Sequence, residues 1–119
     1  MIIGIDPGLS GAVCLLDGER LEVFDLPTTE RVVNGKIKRQ LDLHSLTNDL
    51  RCCPLAQIRF VLIEQVSAMP GQGVTSSFNF GFTAGAIQGV VVALGFPLRT
   101  VHPQVWKREF GLLKQPKDA

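Results

Sequence analysis

The first 26 residues alternate short apolar runs with turn residues, a pattern typical of β-strands. Residues 2–6 (IIGID) form a β-branched run that Pro7-Gly8 closes. Residues 12–17 (AVCLLD) and 20–26 (RLEVFDL) follow as a second and a third run. Asp17-Gly18 between them favours a tight hairpin with a type I′ turn. The chain is therefore predicted to begin with three strands.

A helix is predicted next, after a polar segment. Pro27 ends the third strand, and residues 28–41 are polar and basic around Asn34-Gly35, so they predict an exposed excursion. Asp42 is a residue type that caps helices, and residues 42–53 place leucines at helical spacing behind it. A proline then closes the helix.

The second half of the chain alternates strand and helix patterns. Residues 59–64 (RFVLIE) are a nearly unbroken apolar run, which predicts a strand buried on both faces. Residues 65–74 contain two glycines and a proline and predict a loop. From Thr75 or Ser76, either of which can act as the cap, a helix is predicted to run to about Leu94.

Three glycines recur in that helix at every fourth residue and leave one stripe of it nearly bare: Gly81, Gly85 and Gly89. A bare stripe permits close approach of a neighbour. That neighbour is either the chain's own sheet or a partner's helix, and the sequence leaves both open. A further strand is predicted at residues 96–101, followed by a short helix that Pro103 opens.

The predicted order of elements is β-β-β-α-β-α-β-α. Such an order implies an α/β fold with a mixed five-stranded sheet, antiparallel first and parallel later, and helices on both faces. Residues 1–119 are predicted to form a single domain, at the low end of the usual ~100–200 residues. The 45% content of hydrophobic residues excludes an intrinsically disordered chain.

Cysteine usage and hydropathy indicate a reducing, intracellular setting. Cys14, Cys52 and Cys53 are odd in number and lack zinc-ligand spacing, which argues against a disulfide framework and a zinc site. The chain opens directly on its first strand without a signal peptide. The most apolar stretch, residues 81–98, is interrupted by glycines and a proline and makes a poor membrane span. We therefore expect a cytoplasmic protein that has no membrane partner.

Two acidic residues stand at the ends of apolar strands. If the strands that end at Asp6 and Glu64 are parallel neighbours, both carboxylates leave the sheet at the same edge, where α/β sheets place ligand crevices. Two close carboxylates repel each other unless a cation neutralises them. Mg²⁺ accepts such oxygen ligands together with water and phosphate oxygens. A second interpretation stays open, in which Asp6 caps a turn and Glu64 pairs with an arginine.

Longer motifs give these acids a context. GIDPGLSGA (4–12) resembles the opening strand and turn of the RuvC-like Holliday-junction resolvases, which belong to the ribonuclease H-like superfamily. Residues 61–95, from VLIEQVSAMPGQGVTSSFNF onward, resemble the second acidic strand, the junction-facing loop and the long helix of their phage and bacterial relatives. VHPQVWKREFGL (101–112) and KDA (117–119) resemble the segments that follow. GIDPG alone is less specific, since actin-like ATPases and sugar kinases begin similarly.

The resemblance implies a metal-dependent endodeoxyribonuclease with a ribonuclease H-like fold. It makes Asp6, Glu64 and Asp118 ligands of Mg²⁺, for which Mn²⁺ can substitute, and it adds Lys107 to the catalytic residues. In the family a closing helix supplies a further acid, and this sequence ends before that point, so the last helix is expected to be missing or truncated.

The implied partner is branched DNA in the form of a four-way junction, in a bacterial or phage-infected cell. Phe78 and Phe80 are predicted to stack on opened bases, with a place in the core as the alternative for one or both. The loop residue Gln72 and the basic residues Lys107 and Arg108 are predicted to contact DNA. RuvC-like enzymes are dimers, and a junction of approximate two-fold symmetry calls for a homodimer.

Two other classes of function compete with a nuclease. The first is a junction-binding module that recognises branched DNA with an incomplete set of acids. The second is a fragment of an actin-like ATPase, which would need a second nucleotide-binding half that 119 residues do not hold. The sequence also lacks a P-loop pattern.

Overall fold

The computed structural model describes residues 1–65 and 71–109, apart from the side chains of residues 106, 107 and 109. The elements in chain order are β1 (Ile2–Ile5), β2 (Ala12–Asp17), β3 (Arg20–Asp25), β4 (Thr28–Val33), β5 (Lys36–Leu41), α1 (Leu43–Arg51), a 3-10 turn (Leu55–Gln57), β6 (Phe60–Glu64), α2 (Val74–Ala93), β7 (Leu98–Val101) and α3 (Pro103–Glu109). The predicted elements are present, with boundaries within two residues of those expected. Among these residues, no helix has the length and apolar character that crossing a membrane requires.

Five strands form one mixed sheet in the order β3-β2-β1-β6-β7. The pairs β1–β2 and β2–β3 are antiparallel, whereas β1–β6 and β6–β7 are parallel. Short hairpins join the antiparallel strands, while the parallel pairs need the longer crossovers that carry α1 and α2. The predicted mixed sheet is confirmed.

The hydrophobic core lies on one face of this sheet. Ile3, Val13 and Ile63 alternate toward that face and are fully buried. Helices α1 and α2 both pack there, since they contact each other and supply buried residues such as Leu46 and Ile87 to the same cluster. The sequence predicted helices on both faces, whereas these two share one face. On the opposite face, the outer part of the sheet is open in the described part of the chain, with Leu16, Leu21 and Val23 exposed.

Helix α1 begins as its sequence predicts. One carboxylate oxygen of Asp42 accepts the backbone N–H of Ser45 at 3.1 Å, and the other accepts the Ser45 hydroxyl at 2.8 Å. These hydrogen bonds stabilise the charged carboxylate and lower the pKa of Asp42 below its usual value of 3.8. Leu46 and Leu50 then lie one turn apart on the buried side of the helix.

This cap predicts a pH dependence. Because the pKa of Asp42 is lower in the folded chain, its stabilisation is complete above the unfolded value and is lost as the pH falls through the folded one. In Asp42→Asn, which can still accept a hydrogen bond but cannot ionise, acid unfolding should lose part of its pH dependence. Circular dichroism during acid titration checks this. An unchanged titration curve in the variant would contradict the assignment.

Both hairpin turns differ in detail from the sequence-based expectation. Asp17 pairs with Arg20, so the first turn is Gly18-Glu19, with a positive φ (61°) at Gly18 alone. That geometry is typical of type II′ and not of the expected type I′ turn. The segment 28–41, predicted only as an exposed excursion, is a regular hairpin.

The Asn34-Gly35 turn explains the second hairpin. Both residues have a positive φ, 52° and 75°, as a type I′ turn requires. Val33 pairs with Lys36 across it, and β4 and β5 form their own two-stranded sheet. The Asn-Gly signal was present in the sequence, but the strands beside it carry too many charges to resemble a buried strand.

Helix α2 runs for twenty residues and contains no charged side chain. The sequence predicted Thr75 or Ser76 as the N-cap of this helix. The N-cap is instead Gly73, and no side chain caps the helix. Thr83, Ala84, Ile87 and Val91 are its buried residues.

The glycine stripe of α2 faces away from the sheet. A Cβ atom added at Gly81, Gly85 or Gly89 would meet nothing within 4 Å outside the helix's own backbone. The stripe therefore does not pack against the chain's own sheet, which was one of the two alternatives that the sequence left open. Within residues 1–65 and 71–109, nothing covers the stripe.

Candidate functional site

Asp6 and Glu64 leave the sheet at the same edge. Strands β1 and β6 are parallel neighbours, and Ile5 pairs with Ile63, so the two acids follow at adjacent positions one residue later. Since Ile5 and Ile63 both point into the core, strand alternation places the two acids on the other face of the sheet. Asp6 is exposed and Glu64 is half-buried. This is the arrangement that the sequence predicts for the first two acids.

A tight turn fixes the backbone after β1. The N–H of Asp6 donates to Ala12 at 2.9 Å, which continues the β1–β2 ladder, and the N–H of Gly11 donates to Gly8 at 2.9 Å. Asp6 Oδ1 accepts the N–H of Gly8 at 3.1 Å. A carboxylate has several acceptor positions, so this hydrogen bond leaves the second oxygen and further lone pairs for another ligand.

In this turn Gly11 cannot be replaced by a residue that has a side chain. An added Cβ there would fall on the carbonyl oxygen of Asp6 and lie 2.8 Å from that of Gly8. The close approach of two backbone segments therefore requires glycine, and the same contact positions Asp6. The motif GIDPGLSGA contains this glycine, but its spacing alone does not reveal the steric reason.

Asp6 and Glu64 differ in their partners within the described residues. Asp6 does cap a turn, through Gly8. Glu64, however, has no ion pair, because among the described side chains only Arg20 and Glu22 form a salt bridge, at 3.3 Å. An arginine partner for Glu64 is thus absent from that part of the chain.

The donor set fits a hard divalent cation in kind. Asp6 and Glu64 offer carboxylate oxygens, which Mg²⁺ prefers, and one or two carboxylates with water and phosphate oxygens commonly complete its shell. Within residues 1–65 and 71–109, no group of three or more His, Cys, Asp or Glu residues lies together as a metal cluster. The predicted third ligand, Asp118, lies outside the described residues.

The aromatic residues of α2 divide into two environments. Phe80 is half-buried, and its ring lies near the Asp6–Gly8 turn, 4.0 Å from where a Cβ on Gly8 would be. Phe78 is 69% exposed and stacks on Phe82, with ring centroids 6.3 Å apart. The exposed pair is thus Phe78 and Phe82, while the contact of Phe78 and Phe80 with DNA stays a prediction. The i, i+4 spacing of Phe78 and Phe82 was the available signal.

A cleft separates this aromatic pair from the β4–β5 hairpin, and we call it the arm cleft. It encloses about 380 Å³, and its lining includes Arg31, Lys38 and Arg39 from the hairpin, Phe78 and Phe82 from α2, and Leu9. Arg39 donates to the carbonyl oxygen of Leu9 at 3.0 Å and to the Thr28 hydroxyl at 3.4 Å. That side chain ties the hairpin to the loop that follows Asp6.

The other candidate residues lie just before α2 and on or just before α3. Gln72 is half-buried just before α2, and Arg108 is exposed on α3. Lys107 belongs to α3, but its side chain lies outside the described residues. His102 precedes α3, and its Nδ1 accepts the N–H of Gln104 at 3.2 Å, which satisfies a helix donor.

Comparison with known proteins gives a result only for structure. No protein-family model matches the sequence, and no curated protein matches it. A structure of RuvC from Thermus thermophilus has 18% sequence identity and a TM-score of 0.51, covering 98% of this chain and 73% of that one. A second, of T. thermophilus RuvC in complex with a Holliday junction substrate, has 17% identity and a TM-score of 0.54, covering 98% and 72%. The chain therefore has a RuvC-like, ribonuclease H-like fold, as predicted.

Proposed function

We propose that this chain is a divalent-metal-dependent endonuclease that resolves four-way DNA junctions or other branched DNA. Its place of action in this proposal is the bacterial cytoplasm, which contains the DNA. The observation that carries the proposal is the placement of Asp6 and Glu64 at adjacent positions on one edge of a RuvC-like sheet. An exposed aromatic pair and a basic hairpin beside that edge support a nucleic-acid substrate.

In this proposal Asp6 and Glu64 hold Mg²⁺ or Mn²⁺, with Asp118 as a third ligand. The bound ion would supply an activated water and neutralise charge on the phosphate. The Asp6–Gly8 hydrogen bond fixes the rotamer of the Asp6 carboxylate, which lowers the entropy lost when it binds. Lys107 and Arg108 on α3 supply positive charge for the phosphate of the cut strand. Gln72, which lies just before α2, is a further candidate for a DNA contact.

A junction-binding module without catalysis is the second candidate. It would use the same aromatic and basic surfaces but would not need Asp6 and Glu64 to share an ion. A cleavage assay separates the two: a synthetic four-way junction and a linear duplex of equal length are incubated with and without Mg²⁺. We expect cuts in the junction only, and only with Mg²⁺. Binding without cleavage in Mg²⁺ and in Mn²⁺ would favour the module.

A homodimer belongs to the proposal, because paired cuts in a two-fold symmetric junction call for two active sites related by the same symmetry. The open glycine stripe of α2 suits such an interface. It is uncharged and lets a second helix approach closely, and nothing in the described part of the chain covers it.

Gly85→Ala tests the stripe. In the monomer the added methyl meets open space in the middle of a helix, so we expect a stabilisation of about 0.5–1 kcal/mol. In a dimer packed through the stripe, the same methyl should weaken association roughly tenfold. Thermal unfolding measures the first effect and sedimentation equilibrium the second. Gly73→Ala, which lies outside the stripe, serves as the control for association. A dimer that tolerates Gly85→Leu would rule out this interface.

A further inference from the structure

The β4–β5 hairpin forms one wall of the arm cleft, and this wall is strongly basic. Arg31 and Lys38 pair directly across β4 and β5, so two like charges face each other on the same side of the hairpin. Arg39, whose guanidinium also donates to Leu9 and Thr28, adds a third cation, and no acidic side chain in the described part of the chain lines the cleft. Within the described residues, no carboxylate forms an ion pair with Arg31 or Lys38. Juxtaposed cations of this kind are destabilising unless an anion lies between them.

The facing wall is aromatic and uncharged. Phe78 and Phe82 are 69% and 65% exposed, and their rings are inclined by 26°. Exposed phenyl faces at this angle offer apolar surface to a flat ligand, and the other residues that α2 contributes to the cleft carry no charge. A basic wall opposite an aromatic wall suits a ligand that is anionic on one side and flat and apolar on the other.

An unpaired nucleotide has that chemistry. Its phosphates are anionic, and its base has a π-face that stacks on aromatic side chains whatever the base. The bases in the interior of a double helix are stacked on both faces, so the interior of a duplex cannot bring a base face onto Phe78 and Phe82. The 380 Å³ of the cleft lies within the range of pockets for small ligands and suits a single nucleotide.

We propose that the arm cleft binds an unpaired nucleotide of a DNA strand, with its base on Phe78 and Phe82 and its phosphates against Arg31 and Lys38. This inference rests on the proposed function only in the choice of DNA as the polymer. It assigns the β4–β5 hairpin as one half of a single-strand site, and it gives Phe82 a role in place of the predicted Phe80.

The hairpin also sets where the bound strand runs. Arg39 holds the carbonyl of Leu9, and Leu9 both lines the cleft and lies three residues after Asp6. A strand whose nucleotide occupies the cleft therefore passes beside the turn that carries Asp6. The cleft acts as a positioning site and contributes no group to the reaction.

Fluorescence anisotropy with a labelled oligothymidylate of about ten nucleotides tests the proposal. A chelator is present, so that binding is measured without cleavage. Phe82→Ala should weaken binding about tenfold or more, since it removes a stacking partner. Lys38→Gln should weaken binding and reduce the slope of log affinity against log salt by about 0.7, the value for one lost phosphate contact on a single strand.

Two matched variants serve as controls. Lys36→Gln makes the same charge change on the same hairpin, next to the turn and outside the cleft, and should alter affinity less than about twofold at moderate salt. Val92→Ala removes an exposed apolar side chain from the far end of α2. Circular dichroism verifies that each variant is folded. Equal losses in Lys36→Gln and Lys38→Gln, or unchanged affinity in Phe82→Ala, would overturn the proposal.

The outcomes for the cleft and for the nuclease are distinguishable. Binding of the oligothymidylate that depends on Phe82, in a chain that cuts no junction, would keep the cleft and reject the nuclease. Cleavage of junctions by a chain that fails to bind the oligothymidylate, or that instead associates with a second copy through the cleft, would keep the nuclease and reject the single-strand site.

Discussion

Asp6→Asn is expected to abolish cleavage of branched DNA while leaving its binding largely intact. The substitution removes the negative charge but keeps the shape of the side chain, and the amide oxygen can still accept the N–H of Gly8. A neutral amide is a far weaker ligand for Mg²⁺ than a carboxylate, and the loss of several kcal/mol of metal-derived stabilisation corresponds to at least about a thousandfold in rate.

The measurement is a single-turnover cleavage assay on a four-way junction, together with anisotropy for binding. Asp17→Asn is the matched control. Asp17 is also an exposed acid at the end of a strand, but it lies at the opposite edge of the sheet, beside the β2–β3 turn. Titration of Mn²⁺ followed by electron paramagnetic resonance gives a readout independent of cleavage, and Asp6→Asn should bind Mn²⁺ more weakly. Cleavage by Asp6→Asn at the rate of the unmodified chain would remove Asp6 from the metal site.

Gly11→Ala is expected to destabilise the chain by about 3 kcal/mol, which lowers the unfolding temperature by roughly 10 °C. The added methyl collides with the backbone carbonyls of Asp6 and Gly8, which cannot rotate away as a flexible side chain would. The turn must open, and the hydrogen bonds that hold Asp6 in register must shift with it. We therefore also expect weaker cleavage at temperatures where the variant is still folded.

Differential scanning calorimetry measures the stability of Gly11→Ala. Gly73→Ala is its control, since it adds the same methyl at a glycine with negative φ and open space around it, and its cost should stay below about 1 kcal/mol. An unfolding temperature equal to that of the unmodified chain would mean that the turn has a relaxed alternative form.

Much of the fold could be predicted because its signals are local. The apolar runs that end at Ile5 and Ile63 indicate buried strands, and their parallel pairing follows from the helix pattern between them. Asp42 marks the start of α1, because an acidic residue three positions before Ser45 is a typical helix cap, and its carboxylate accepts the N–H of Ser45. The same local logic places Asp6 and Glu64 together, since parallel strands end at one edge.

The parts that could not be predicted depend on contacts between distant segments. The i, i+4 spacing indicates that Phe78 and Phe82 can stack on each other, but it does not reveal which ring packs near the Asp6 turn, because that depends on how α2 rotates over the sheet. The arm cleft is likewise invisible in the sequence, since it exists only where Arg39 holds the hairpin against Leu9. The direction of the glycine stripe was ambiguous for the same reason.

The absence of charge along α2 has a consequence for selectivity. In the proposed complex, contacts between DNA and the uncharged α2 would release no counterions and would persist as ionic strength rises, whereas contacts of basic residues with the phosphates of duplex arms would weaken. Discrimination between branched and linear DNA should therefore improve as the solution becomes more concentrated in salt, even though total affinity declines. The ratio of the affinities for branched and linear DNA is thus expected to be highest at the salt concentrations at which both affinities are lowest.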